Sequence, residues 1–173
     1  MILAPYHPDL PEMRNTYAKY ASAISKMDSL VGQAIENLKR DNLYENTIVI
    51  YNSDHGGVLA RSKRFLYSSG IHCPLIVRIP AKWNHLYPQG KKPGSTIDRI
   101  VSFIDMPKTW VSLTGAAMKK NFQGRIFLGP DTEPPADYHF SWRERADERF
   151  DNVRVMRDEQ FAYHKNYAPF APN

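Results

Sequence analysis

Cysteine is almost missing from this chain: Cys73 stands alone among 173 residues. A single thiol excludes an internal disulfide framework and any metal site built mainly on cysteine. Long apolar runs are missing too. None reaches the ~18 residues of a membrane-spanning helix, and the opening Met-Ile-Leu-Ala-Pro-Tyr-His-Pro lacks the basic segment and apolar core of a signal peptide. If the protein is periplasmic or secreted, its signal is expected outside these residues. There is no internal repeat and no low-complexity tract. An excess of acid is also absent. With 23 Lys and Arg against 18 Asp and Glu, the net charge is +5 and the pI near 9.3. That balance favours anionic partners, or else describes a solvated basic surface. The basic residues are scattered and match no nucleic-acid-binding motif, so no nucleic-acid partner is expected.

What is present is an ordinary globular composition, 42% hydrophobic and 24% charged, enough for a real core. Its most informative stretch is Thr47-Ile-Val-Ile-Tyr-Asn-Ser-Asp-His-Gly-Gly57. Thr47 to Tyr51 is short, β-branched and apolar on both alternating faces, which predicts a strand buried between helical layers in a parallel sheet. In open α/β sheets ligands bind beyond the carboxyl ends of the strands, and here that place holds Asp54 and His55. Asp54 offers a hard oxygen, His55 a nitrogen able to coordinate or donate, and Gly56 and Gly57 allow the backbone a close approach. An ordinary Asp-His-Gly turn has the same sequence, with Asp bonding its own backbone and Gly at positive φ.

Along the chain, the three prolines of Ala4–Met13 predict an extended lead-in. From about Glu12 to Arg40 the spacing of Tyr17, Tyr20, Ile24, Met27, Val31, Ile35 and Leu38 predicts an amphipathic helix ending at Asp41-Asn42, with Asp28 solvated at the stripe edge. Residues 58–69 read as a loop folding back over the strand end, and Pro74–Pro80 as a second strand. Asp105-Met-Pro-Lys reads as a helix start, Asp as cap and Pro in the first turn, with a stop at Gly115. Residues 138–142, 152–157 and 161–165 read as short strands of a small antiparallel sheet.

Taken together these stretches resemble the C-terminal portion of the type I, formylglycine-dependent sulfatases of the alkaline phosphatase superfamily. The residues that carry the resemblance are 20–32, 46–56, Lys63-Arg-Phe-Leu-Tyr-Ser-Ser-Gly70, Pro74–Pro80, Phe103–Thr109, Leu113-Thr-Gly115 and Arg154–Tyr163. The resemblance implies an α/β fold: a sulfatase-like sheet flanked by helices over 1–120, then a small C-terminal antiparallel sheet over 121–173.

It also implies roles. Asp54 becomes a metal ligand for a divalent cation, expected to be calcium, which a carboxylate suits. His55 stands where the family has Asn or His, as a second metal ligand or as a catalytic hydrogen-bond partner of the sulfate or nucleophile. Lys63 becomes the catalytic, substrate-binding lysine that contacts the sulfate and stabilises the leaving oxygen. His72 stands where many relatives have Arg and is expected to line the substrate pocket, or else to be structural. Arg143 and Arg145 are expected to pair with Glu144, Asp147 or Glu148 rather than reach a sugar, and Cys73 to be a small buried side chain.

The family's nucleophile arises in a Cys-x-Pro/Ala-x-Arg motif. Cys73 is followed directly by Pro74 and has Val77 where Arg belongs, so it is not that motif. The formylglycine is expected only in an N-terminal half that this sequence does not contain, and the chain alone is expected to be inactive and prone to self-association through an open sheet edge. The expected partner is a sulfated small molecule or glycan. Two other readings stay open: a phosphodiesterase or phosphonate monoester hydrolase of the same superfamily, and a non-catalytic remnant that binds anionic glycans.

Overall fold

A computed structural model describes residues 2–146 and 149–169. The chain divides into two compact units, Met1–Pro80 and Ala81–Asn173.

The first unit opens with the long helix α1, Pro11–Arg40, whose proline sits in the first turn where its missing N–H costs nothing. Tyr17, Tyr20, Met27, Val31, Ile35 and Leu38 form its less exposed stripe, as the spacing predicts, joined by Met13, while Ile24 of the predicted stripe is exposed, as is Asp28. The helix stops at Asn42, which takes a left-handed φ of 57°, and Leu43 N–H returns to Leu38 O at 2.8 Å. A short turn leads into strand β1, Val49–Asn52, two residues later than the apolar run begins. After the loop and a single helical turn, α2 (Ser68–Ile71), comes β2, Leu75–Arg78.

The pairing of β1 with β2 is antiparallel, Val49 opposite Arg78 and Asn52 opposite Leu75. This corrects the expectation of a parallel strand buried on both faces. The face of β1 that includes Tyr51 is half-buried, with the Tyr51 hydroxyl donating to Met27 Sδ of α1 at 3.0 Å, whereas Ile50 and Ile76 are exposed. A strand apolar on both faces therefore has only one face covered among the described residues. The Arg78 guanidinium stacks 3.5 Å from the Tyr44 ring centroid and donates to Tyr44 O at 2.7 Å, locking β2 onto the turn before β1.

In the second unit, helix α3 (Asp105–Leu113) packs on a buried run, Ile126-Phe-Leu128, with Trp110 edge-on to Phe127 at 5.5 Å. Asp105 does not act as the expected cap. Its buried carboxylate accepts the N–H groups of Ser102 and Arg125, both at 2.8 Å, so it ties two loops together instead. Thr109, fully buried, donates to Asp105 O and accepts from Phe127 N–H. Strands β3 (His139–Ala146), β4 (Arg149–Arg157) and β5 (Ala162–Asn166) form an antiparallel sheet in sequence order, as expected. Val155 is buried on one side; Phe140, Trp142 and Tyr163 are exposed on the other. The expected pairing of Arg143 with Glu144 gives way to a cross-strand contact, Arg143 Nε to Asp151 Oδ2 at 3.3 Å, while Glu144 accepts from Arg154 at 2.6 Å. Neighbouring residues of a strand point to opposite faces, so Arg143 finds its partner on the next strand. Asp147 and Glu148, the other expected partners, lie outside the described residues.

Glu133 closes the turn-rich segment before this sheet. It accepts from Lys108 Nζ on both oxygens at 2.9 Å and from Ile126 N–H at 2.6 Å, and these donors hold its carboxyl below the ordinary value. A carboxyl depressed in the folded state stabilises fully above its unfolded value, near 4, and loses that contribution as pH falls through the folded one. Glu133→Gln is expected to cost about 1 kcal/mol at pH ~7, discounted for partial exposure, and less at pH ~4, where protonation begins to remove the charge-assisted bonds. Urea unfolding at the two pH values checks this; an equal loss at both would contradict it.

Candidate active site

The residues singled out by sequence sit in one loop cluster of the first unit. β1 ends at Asn52, and the chain turns through Ser53–Gly57, with Ser53 Oγ donating to His55 O at 2.8 Å. Gly56 is not at positive φ. Its need for glycine comes from packing: a Cβ there would lie 1.9 Å from Ser69 O, and Gly56 N–H donates to Gly70 O at 2.8 Å. Gly70 is equally confined, since its Cβ would lie 2.1 Å from Phe65 O and 2.2 Å from Ser62 O. The first approach docks α2 against the turn after β1, and the second packs α2 against the loop of Ser62 and Phe65.

The intervening loop returns to the same place. Lys63 N–H donates to Gly57 O at 2.8 Å, which sets Lys63 beside the Asp54–Gly57 turn. Arg61 and Arg64, flanking it, hold left-handed φ values of 62° and 77°. Non-glycine residues adopt that region at a cost of order 1–3 kcal/mol, carried here by surrounding contacts. Those contacts are visible: Ser62 is buried, Ser69 Oγ donates to Arg61 O at 2.7 Å, and the Arg61 guanidinium lies 4.8 Å from the Tyr6 ring and 4.5 Å from the Tyr67 ring.

Asp54 presents its carboxylate to solvent, 88% exposed, and the half-buried His55 places Nε2 3.6 Å from Asp54 Oδ1. His55 Nδ1 donates to Gly56 O at 2.6 Å. A carbonyl can only accept, so Nδ1 carries a proton, and Nε2 is left on the side of the Asp54 carboxylate. That arrangement, one ring nitrogen fixed by a backbone carbonyl and the other left open, is how protein metal ligands are commonly oriented. Asp54 and His55 thus fit a divalent cation as two donors of a larger set. Among the described residues no three His, Cys, Asp or Glu side chains gather around one point.

Lys63 and His72 are both exposed, and His72 N–H donates to Ser68 O at the end of α2. Cys73 is half-buried rather than buried. The contribution of Gly70 was not legible in the sequence, because a glycine needed for a close approach looks like any other glycine. The positive φ at Arg61 and Arg64 left no sequence mark either.

The sulfatase family model matches residues 4–116. The chain is 35% identical over 167 residues to an ulvan-active sulfatase of Formosa agariphila, covering 96% of this chain and 27% of that protein. The chain belongs to the sulfatase family. Human arylsulfatase K is 28% identical over 132 residues, covering 74% of this chain and 23% of that one. An N-acetylglucosamine-6-O-sulfatase of Bacteroides thetaiotaomicron is 29% identical over 134 residues, covering 73% and 22%. This sulfatase chain therefore spans about a quarter of the length of these curated relatives. In fold it matches a solved structure, described as in complex with its substrate D-glucosamine-2-N,6-O-disulfate, with a TM-score of 0.70 at 24% identity, over 86% of this chain and 31% of that one.

The packing at Gly70 makes a direct prediction. Gly70→Ala is expected to destabilise the first unit by about 2–3 kcal/mol, because both obstructing atoms are backbone carbonyls that cannot swing aside. Gly32→Ala, on α1 with nothing within 4 Å, is expected to be neutral or to stabilise by about 0.5–1 kcal/mol. Thermal unfolding of the two variants checks the contrast, and equal tolerance would contradict the packing of α2 against the Ser62–Phe65 loop.

Proposed function

We propose that this chain supplies one wall of the active site of a sulfatase that hydrolyses sulfate esters, and that the wall consists of Asp54, His55 and Lys63. The observation that carries the reading is the Lys63 N–H to Gly57 O bond, which sets a lysine beside an acid and a histidine at the end of a strand. Family membership supports the chemistry, and the positions of these residues support their roles.

Lys63 would place its ammonium against the sulfate and the ester oxygen, where negative charge grows as the sulfur–oxygen bond breaks. Asp54, with His55 beside it, would hold a divalent cation, calcium being the natural choice for a carboxylate. Such a cation, when bound, neutralises sulfate oxygens and polarises the sulfur. His55 has a narrower choice than its chemistry alone suggests. With Nδ1–H given to Gly56 O, the neutral ring can only accept at Nε2, so it coordinates or accepts a proton there, and donates to sulfate only as the imidazolium. His72, exposed just beyond α2, is proposed to face the sugar or alcohol that carries the ester.

The nucleophile is proposed to come from sequence outside these residues, since Cys73 does not sit in the required motif. The substrate is proposed to be a sulfated glycan. That rests on the net charge of +5 and on the activities for which the relatives are named. The exposed faces at Ile50 and Ile76 and at Phe140 and Trp142 support self-association of the chain on its own.

Two preparations test this reading. The 173-residue chain alone is expected to show no turnover of aryl sulfate and to sediment as oligomers. A longer protein that carries this chain behind a Cys-x-Pro/Ala-x-Arg segment is expected to hydrolyse it, and Lys63→Ala there is expected to lower kcat by about 10²–10³ with the fold intact. A Lys63→Ala variant within threefold of the parent, or phosphodiester cleavage in place of sulfate release, would overturn it.

A further inference from the structure

The proline-rich lead-in is more than an extended approach to α1. His7 Nε2 lies 3.0 Å from the carbonyl oxygen of Ala60, 53 residues away and three residues before Lys63. His7 Nδ1 lies 2.8 Å from the Tyr17 hydroxyl of α1, and that same oxygen accepts the Ala4 N–H at 2.9 Å.

The chemistry of the end groups fixes the direction of every bond. A backbone amide can only donate, so Tyr17 Oη accepts from Ala4 and keeps its own proton, which it can give to the unprotonated Nδ1 of a neutral His7 ring. A carbonyl can only accept, so His7 Nε2 carries the proton given to Ala60. Of the two neutral tautomers, Nε2–H is the one that makes all three bonds. The chain then runs amide, phenol, imidazole, carbonyl. Around the ring, Tyr6 stands edge-on at 4.6 Å and Tyr17 edge-on at 5.7 Å, and the Arg61 guanidinium lies over Tyr6.

Ala60 is where this support matters. It precedes Arg61 at positive φ, the buried Ser62 and then Lys63, whose amide is fixed to Gly57. The loop is pinned at its base by Gly57 and, between the two ends, by His7.

We propose that His7 is a positioning residue, which holds the Ala60–Lys63 segment in its left-handed course through a relay anchored on α1 by Tyr17. That the segment carries a catalytic lysine rests on the function proposed above; the relay itself does not.

Hydrogen exchange and ring nitrogen shifts of the 173-residue chain test the relay without any activity assay. In the parent chain the His7 ring is expected as the Nε2–H tautomer; finding the Nδ1–H tautomer would overturn the assignment. His7→Asn can accept from Tyr17 but cannot reach Ala60, whereas His7→Gln can donate to Ala60. Loss of one such bond is expected to speed exchange of the Ser62 and Lys63 amides about tenfold in His7→Asn, and His7→Gln is expected to restore most of the protection. The α1 amides serve as the folding control. Equal exchange in the two variants, or no change in either, would mean that His7 only fills space. If the relay is confirmed and Lys63→Ala remains active, the function fails and the positioning role stands.

Discussion

Two backbone segments, the turn after β1 and the first turn of α2, approach so closely that no side-chain atom fits between them. Everything charged in the site depends on that approach. Gly56 N–H reaches Gly70 O across the gap, and Gly57 O receives the Lys63 amide. An acid, a histidine and a lysine that are up to nine residues apart in sequence are thereby brought to one end of one strand. Remove the approach and the same three residues become an ordinary polar loop. The cost of holding Arg61 and Arg64 at positive φ is met by the same neighbourhood, through the Ser69 bond, the stacked Tyr6 and Tyr67 rings, and His7.

The chemistry that follows is electrostatic and needs few moving parts. In the proposed function Lys63 would contribute charge where a leaving oxygen forms, and Asp54 would contribute a hard anionic oxygen for a cation. His55 is oriented by its own backbone, through Gly56 O, so its free nitrogen has a fixed aim. The chain spans about a quarter of its relatives' length, and the nucleophile is proposed to lie outside these residues.

Much of the fold could be read from periodicity, because helix α1 and the three C-terminal strands carry patterns that local geometry dictates. Spacings of three and four residues put Tyr17 through Leu38 on one stripe whatever packs against it. Strand direction is different. Whether Thr47–Tyr51 pairs parallel or antiparallel depends on which partner lies beside it, and the run itself reads the same in both cases. Asp105 shows another limit, since an acid before a proline signals a cap, yet its carboxylate was claimed by the N–H of Arg125, 20 residues away. In the site, Asp54, His55 and Lys63 were singled out through resemblance to a family, not through physics, and their roles stand as proposals. Gly70, His7 and the two left-handed arginines were not legible at all, because each acts through contacts with residues far along the chain.

The central claim, that a glycine-locked turn gathers Asp54, His55 and Lys63 into one cation- and sulfate-facing wall, is most directly tested with Mn²⁺ as a paramagnetic probe. Amide resonances of the isotopically labelled chain would be recorded as Mn²⁺ is added. The account predicts selective broadening centred on Asp54 and His55 that extends to Gly57 and Lys63 and disappears in Asp54→Ala. Broadening centred on other acids, or a pattern that Asp54→Ala leaves unchanged, would contradict it.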